Sequence, residues 1–325
     1  MMRAGTEPPS RPSINALRAA ASEVASRMGA ASLQVAALVD GAPGGLHRGL
    51  RRGGGVEFAE HREYAPGDDL RHLDWRAYAR NDRYFIKRFE QEVHASWTLL
   101  IDASASMSLD DTTVSRARSQ PSVNKFSGVR LLAASLAMIG LQGGDAVGLK
   151  VIAQPHLDLP PAGGERQLLS LLEALVRMRP SGQAGLESLA RSALHEVSGC
   201  SVVVALSDVL TEPASALAPL ASLARLGADV LLLQTLHPLE VDFDLRDIVE
   251  TVCDENGARK VVDPRLSRRS YADMMASHCD AIRAQSALAA VHYELAVLSE
   301  DPATVVERVL RLVCEPELSS RRAMS

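Results

Sequence analysis

Aromatic residues make up only 4% of the 325-residue chain, and its four cysteines, Cys200, Cys253, Cys279 and Cys314, form no C-x-x-C pair. That spacing excludes a zinc ribbon or a disulfide scaffold, and it fits reduced thiols in a cytoplasmic protein. No 18 apolar residues run together, and the first thirty residues interleave Arg3, Arg11, Arg18, Glu23 and Arg27 with small side chains. Neither a signal peptide nor a membrane anchor is readable, so no direct membrane insertion is expected. Strong charge of one sign is missing as well: 35 basic against 40 acidic residues give −5, which supplies no chain-wide attraction to nucleic acid. No G-x-S-x-G elbow, no G-x-x-x-x-G-K-[ST] phosphate loop and no D-x-D nucleophile is present where such catalysis would need it.

What is there is ordinary globular material, 46% apolar and 23% charged, enough for a sizeable core. Charge is unevenly placed, with a net of +2 over residues 1–95 and −7 over residues 96–325. Four stretches differ in kind. Residues 1–13 read as a disordered terminus, 14–93 as a helical and then charged, aromatic segment, 94–315 as one α/β domain and 316–325 as a tail. In the first of the two large stretches, Leu17, Val24, Met28, Leu33 and Leu38 recur at helical spacing until Gly41–Gly45 stops them.

From Trp97 onward strands and helices alternate. Trp97–Ile101, Val147–Ile152, Ser201–Leu206, Val230–Leu236 and Tyr293–Leu298 read as strands, the apolar ones as buried parallel strands. Helices are expected after Asn124 as far as Gly143–Gly144, over Arg166–Arg177, Leu186–Val197, Leu217–Leu226 and Ser270–Leu288, and from Pro302 through Leu312. The acidic run from Asp242 to Glu255 reads as a solvated loop, and His237 as the end of a strand stopped by Pro238. Such alternation predicts a mostly parallel sheet flanked by helices.

Ligands of open parallel sheets collect beyond the carboxyl ends of the strands, where Asp102, Ser104, Ser106 and Asp208 should fall. The D-x-S-x-S spacing sets one carboxylate and two hydroxyls at alternate positions on the loop leaving a strand. Hard oxygen donors of low total charge suit Mg2+ or Mn2+, and an ion so held stays electropositive toward an outside carboxylate. The same residues serve equally well as a strand-to-helix turn in which serine and aspartate oxygens satisfy backbone amides. Both readings stand on the sequence.

The string from Arg52 through Glu92, containing VEFAEHREYAPGDDLRHLDWRAYARNDRYFIKRFEQE, strongly resembles the family catalogued as domain of unknown function 58. The resemblance continues through Asp102–Met107, Gly144, Asp145, Val147, Gly148, Ser207, Asp208 and His237–Glu240. It implies a von Willebrand factor A-like, Rossmann-like domain with a metal-ion-dependent adhesion site, preceded by a family-specific extension. It also implies a MoxR-type AAA+ ATPase as partner and a part in maturing or remodelling other protein complexes. Complete adhesion sites take a threonine from the loop before the helix starting near Leu186, but Gln183, Ala184, Gly185 and Leu186 stand there. Ser181, Ser188 or water would have to complete the ion's shell, and affinity should be weakened.

The extension holds seven of the twelve aromatic side chains, among closely alternating charges. A packed mini-domain or recognition face is expected, with Arg62, Asp68, Asp69, Arg71, Asp74, Trp75 and Arg80 as candidate partner-binding residues. Eight acidic against ten basic residues between positions 46 and 90 dilute any field that would attract phosphate, so no nucleic-acid partner is expected. The leading expectation is a non-enzymatic interaction module whose metal-bearing crevice accepts a carboxylate from a client protein. A metal-assisted hydrolase in the same crevice, or a metal-independent adaptor docking through the extension, are the alternatives.

Overall fold

A computed structural model describes residues 13–38, 57–63, 84–90, 95–109, 124–151, 157–182, 185–195, 201–243, 249–252, 259–262 and 264–314. The chain divides into two compact units, one comprising Met1–Ala42 with Ala95–Ser325 and the other Pro43–His94. In the larger, helix α1 (Ile14–Leu38) turns Leu17, Ala21, Val24, Ala25 and Met28 inward at spacings of three and four. The smaller holds an antiparallel hairpin, β1 (Glu57–Glu63) with β2 (Phe85–Glu90), whose register shifts between Phe58 and Glu60.

The remaining elements belong to the larger unit. Strand β3 (Ser96–Ile101) leads through a 3-10 turn (Ala105–Ser108) toward α2 (Lys125–Gln142). Then come β4 (Ala146–Val151), β5 (Leu157–Ala162), α3 (Gly164–Arg177), α4 (Leu186–Ala193), β6 (Ser201–Ser207) and α5 (Pro213–Arg225). Strand β7 (Asp229–Leu236), the short α6 (Pro238–Asp242), the hairpin β8 (Val249–Val252) with β9 (Arg259–Val262), α7 (Pro264–Leu288), β10 (His292–Val297) and α8 (Pro302–Cys314) follow.

Six strands form one sheet in the order β10-β7-β6-β3-β4-β5, all parallel except β5 at one edge. This is the mixed α/β architecture, a mostly parallel sheet between helices, expected of a von Willebrand factor A-like domain. Both faces are covered, which is why the central strands are apolar without alternation. On one face Leu100, Val203, Ala205, Val230 and Leu232 pack with Leu189, Leu217, Leu220 and Ile282 of α4, α5 and α7. On the other, α2 lies against β3 and β4 and is itself covered by α1, α3 and α8. Sandwiched in this way, α2 is buried nearly all round and built from small residues. A Cβ added at Gly140 would stand 3.1 Å from Val147 Cγ2.

Several boundaries differ from the sequence expectation. Helix α4 ends at Ala193 instead of reaching Val197, while α5 and α7 begin earlier, each with proline in its first turn. Strand β5 carries Pro160 and Pro161, which an edge strand tolerates because no neighbour needs their missing N–H groups on the outer side. Of the acidic run, Asp242 ends α6 and Glu250 lies in β8, while Asp244, Asp247, Asp254 and Glu255 lie outside the described residues. His237 does more than end a strand. It caps α6: its Nδ1 accepts from Leu239 N, and Glu240 Oε2 accepts from His237 N.

Candidate functional site

Strands β3 and β6 are neighbours, so their carboxyl ends deliver Asp102 and Asp208 to one rim of the sheet. Asp102 N donates to Leu206 O at 2.9 Å, stitching the two exits together. The Asp102 carboxylate is buried, and each oxygen accepts one hydrogen bond: Oδ1 from Ser104 N (2.9 Å) and Oδ2 from the Ser207 hydroxyl (2.6 Å). Burial pushes its pKa up, the Asp208 charge pushes it further, and the Ser207 and Ser104 hydrogen bonds pull against both.

Ser104 Oγ and Ser106 Oγ lie 3.0 Å apart. Two cis oxygens on a magnesium octahedron with bonds of about 2.1 Å stand about 3.0 Å apart as well, so the hydroxyl pair matches one edge of such a shell. Asp208 completes the expected quartet, and here a residue that the sequence reading passed over enters. Lys125 at the start of α2 is fully buried, and its Nζ donates to Asp208 Oδ2 (2.8 Å), Glu240 Oε1 (2.6 Å) and Ser106 O (3.4 Å). Burial opposes its charge, but Asp208 and Glu240 outweigh burial and hold the ammonium pKa above its ordinary value. Burial likewise pushes the Glu240 carboxyl up, against the pull of Lys125.

The electrostatic count of the rim is therefore uneven. Asp102, Asp208 and Glu240 are buried acids, and Lys125 is the buried cation that hydrogen-bonds to two of them. A site with that deficit and two adjacent hydroxyls has the donor chemistry of a hard divalent ion. Asp102, Ser104, Ser106 and Asp208 would hold it, at or one water away from its shell.

The loop that lacks a threonine runs alongside. Ser181 N donates to Ala103 O (2.8 Å), and Gly182 O accepts from Ala105 N (3.0 Å). Ser181 thus stands beside the D-x-S-x-S loop with its side chain exposed; Ser188 lies in α4 and is also exposed. Residues 183 and 184 are outside the described residues, as are Asp68, Asp69, Arg71, Asp74, Trp75 and Arg80. Arg62 falls in β1 opposite Ile86.

The backbone after Asp208 is held under strain. Val209 has φ 46°, a left-handed conformation that a β-branched side chain resists. Four contacts brace it: Val209 N donates to Ser207 Oγ, His278 Nε2 meets Val209 O at 2.7 Å, Gln234 Nε2 donates to Asp208 O, and Tyr293 O–H donates to Gln234 Oε1. Two signals in the sequence could have disclosed the wider network. A lysine directly after an N-cap asparagine opposes the helix dipole, and His-Pro-Leu-Glu has the N-cap and N3 spacing of a capping box.

Residues 60–281 match the model of the family described as Protein of unknown function DUF58. The chain belongs to that family. DUF58 relatives among curated proteins include uncharacterized proteins of Mycobacterium bovis and Mycobacterium tuberculosis, each 28% identical over 254 residues covering 76% of both chains. Among solved structures, this DUF58 chain is similar to an aerotolerance-related membrane protein of Bacteroides fragilis carrying multiple mutations to serines (17% identity, 68% of this chain and 99% of that one, TM-score 0.39). It is also similar to the conserved hypothetical protein BatB of Bacteroides thetaiotaomicron (16% identity, 71% and 100%, TM-score 0.40). Among the described residues of the DUF58 chain no helix is long and apolar enough to cross a membrane.

Proposed function

We propose that this DUF58 protein is a non-enzymatic docking module whose sheet rim receives an acidic group of a partner protein in the cytoplasm. The observation that supports it is the gathering of Asp102, Ser104, Ser106 and Asp208 at adjacent strand ends, with more buried acid than Lys125 alone balances. A magnesium or manganese ion there would supply the positive charge that an incoming carboxylate needs. The partner side of the reading rests on the family resemblance: a MoxR-type AAA+ ATPase as collaborator, and a client complex as the object of their joint work.

Calorimetric titration of magnesium and manganese into chelator-treated protein tests the ion. A saturable isotherm lost in Ser104→Ala is expected, and identical flat isotherms for both proteins would remove the metal from the reading. Co-purification with the ATPase under ATP tests the partner.

A second reading is favoured by one contact, the 2.8 Å ion pair of Lys125 with Asp208. In it the lysine is the resident cation of the rim and docking proceeds without a divalent ion. Partner capture that survives both chelation and Ser104→Ala would select it.

A further inference from the structure

A second charged feature stands beside the same rim and has no counter-charge among the described residues. Arg130 rises from α2 with its guanidinium carbon 4.5 Å above the Phe126 ring centroid, and Nη2 donates to Met178 O at the end of α3. Its Nε is buried and has no acceptor. Buried donors in folded proteins almost always have partners, and one without a partner calls for a missing ligand or water. Arg179, the next residue after Met178, brings a second guanidinium, which is exposed. No ion pair to either arginine is made among the described residues. Burial, and then the Arg179 charge, lower the Arg130 pKa to about 10.

The position matters as much as the charge. The connector carrying Arg179 continues into Ser181 and Gly182, which hydrogen-bond to the backbone at Ala103 and Ala105 between the residues of the D-x-S-x-S motif. The arginine pair therefore lies at the flank of the crevice and not on a remote surface. Arginine forks match planar oxyanions, and two guanidinium groups carried on neighbouring segments, Arg130 bonded to Met178 O and Arg179 next in sequence to Met178, gain from an anion that both can reach. Asp102, Asp208 and Glu240 on the same rim penalise a dianion more than a monoanion, which favours carboxylate over phosphate.

We infer that Arg130 and Arg179 form an oxyanion site that binds a carboxylate from an acidic segment of the partner protein, beside the crevice. The identity of the ligand as part of a protein rests on the docking reading; the anion site itself does not.

The test is a calorimetric titration of the full chain in excess chelator with a capped tetraglutamate peptide, with capped tetraglutamine and inorganic phosphate as comparisons. Tetraglutamate should bind and tetraglutamine should not. Arg130→Gln and Arg179→Gln should each weaken binding at least fivefold. Arg179 is exposed, so its variant remains informative even if Arg130→Gln does not fold. Equal affinity in the wild type and both arginine variants would overturn the site, as would the absence of tetraglutamate binding to the wild type under chelation. Tighter binding of phosphate than of tetraglutamate would overturn the carboxylate assignment. Failure of the metal reading registers elsewhere, in the magnesium isotherm of Ser104→Ala.

Discussion

The two ends of the central sheet treat buried acid in opposite ways. At the amino end, Asp145 is buried and settled: Oδ1 accepts from Ala95 N at 2.8 Å and Oδ2 from Trp97 Nε1 at 2.9 Å, two donors for one carboxylate, with no like charge among its hydrogen-bonding partners. At the carboxyl end, burial and the Asp208 charge raise the cost of ionising Asp102, and a lysine drawn from the start of α2 pairs with Asp208 and Glu240 but not with Asp102. The first arrangement holds β3 to the turn before β4. The second keeps charge in a place where burial is expensive, as functional sites do. The difference is between acid used as a staple and acid held ready for something positive.

Removing Lys125 should break the contrast most severely. Lys125→Met leaves Asp208 and Glu240 buried without their cation, and a loss of about 3–5 kcal/mol in urea denaturation is expected. Lys125→Met combined with Glu240→Gln should recover part of that loss, because one of the stranded charges is gone. Asp145→Asn comes next, at about 1–3 kcal/mol, since an amide offers one acceptor to two donors and turns its own N–H toward one of them. Magnesium titration and partner capture should be unaffected by it, whereas Ser104→Ala should do the reverse. Gly148→Ala probes the edge strand, because its Cβ would meet Leu159 O and Pro161 N at 2.8 Å; a loss of about 1–3 kcal/mol is expected.

The smallest effect has the opposite sign. Asp102 keeps its proton more tightly in the folded protein than in the unfolded chain. Its contribution to stability is thus full below the ordinary aspartate value and is lost as pH rises through the folded pKa. In metal-free protein Asp102→Asn should therefore raise the urea midpoint at neutral pH, and the gain should shrink as pH falls into the acid range. A variant less stable than wild type at neutral pH would show that the ionised carboxylate is a structural asset after all.

Much of this was legible in the sequence wherever burial is two-sided. The runs around Leu99, Val203 and Leu232 are apolar because helices cover both faces, so their strands could be placed to within a residue. Asn124 announced α2, and its side chain does accept from Ser127 N. The edge was harder to read: Leu157–Ala162 is half exposed and holds two prolines, and nothing in its pattern marks a strand. At the rim, the D-x-S-x-S oxygens and Asp208 could be brought together by topology alone. Lys125 could not, because its acidic partners lie 83 and 115 residues away and a lysine beside a helix cap reads as a surface residue until the fold closes over it.

Helix α1 carries a consequence for how the chain is made. It rests on α2, α3 and α8, and Arg27 clasps Asp301 through two hydrogen bonds spanning 274 residues. On the ribosome, α1 emerges long before α8 and must wait for it before its seat is complete. Until α8 leaves the exit tunnel, the apolar stripe of Leu17, Val24 and Met28 has only part of its cover, so nascent chains of this protein should be clients of chaperones over that interval.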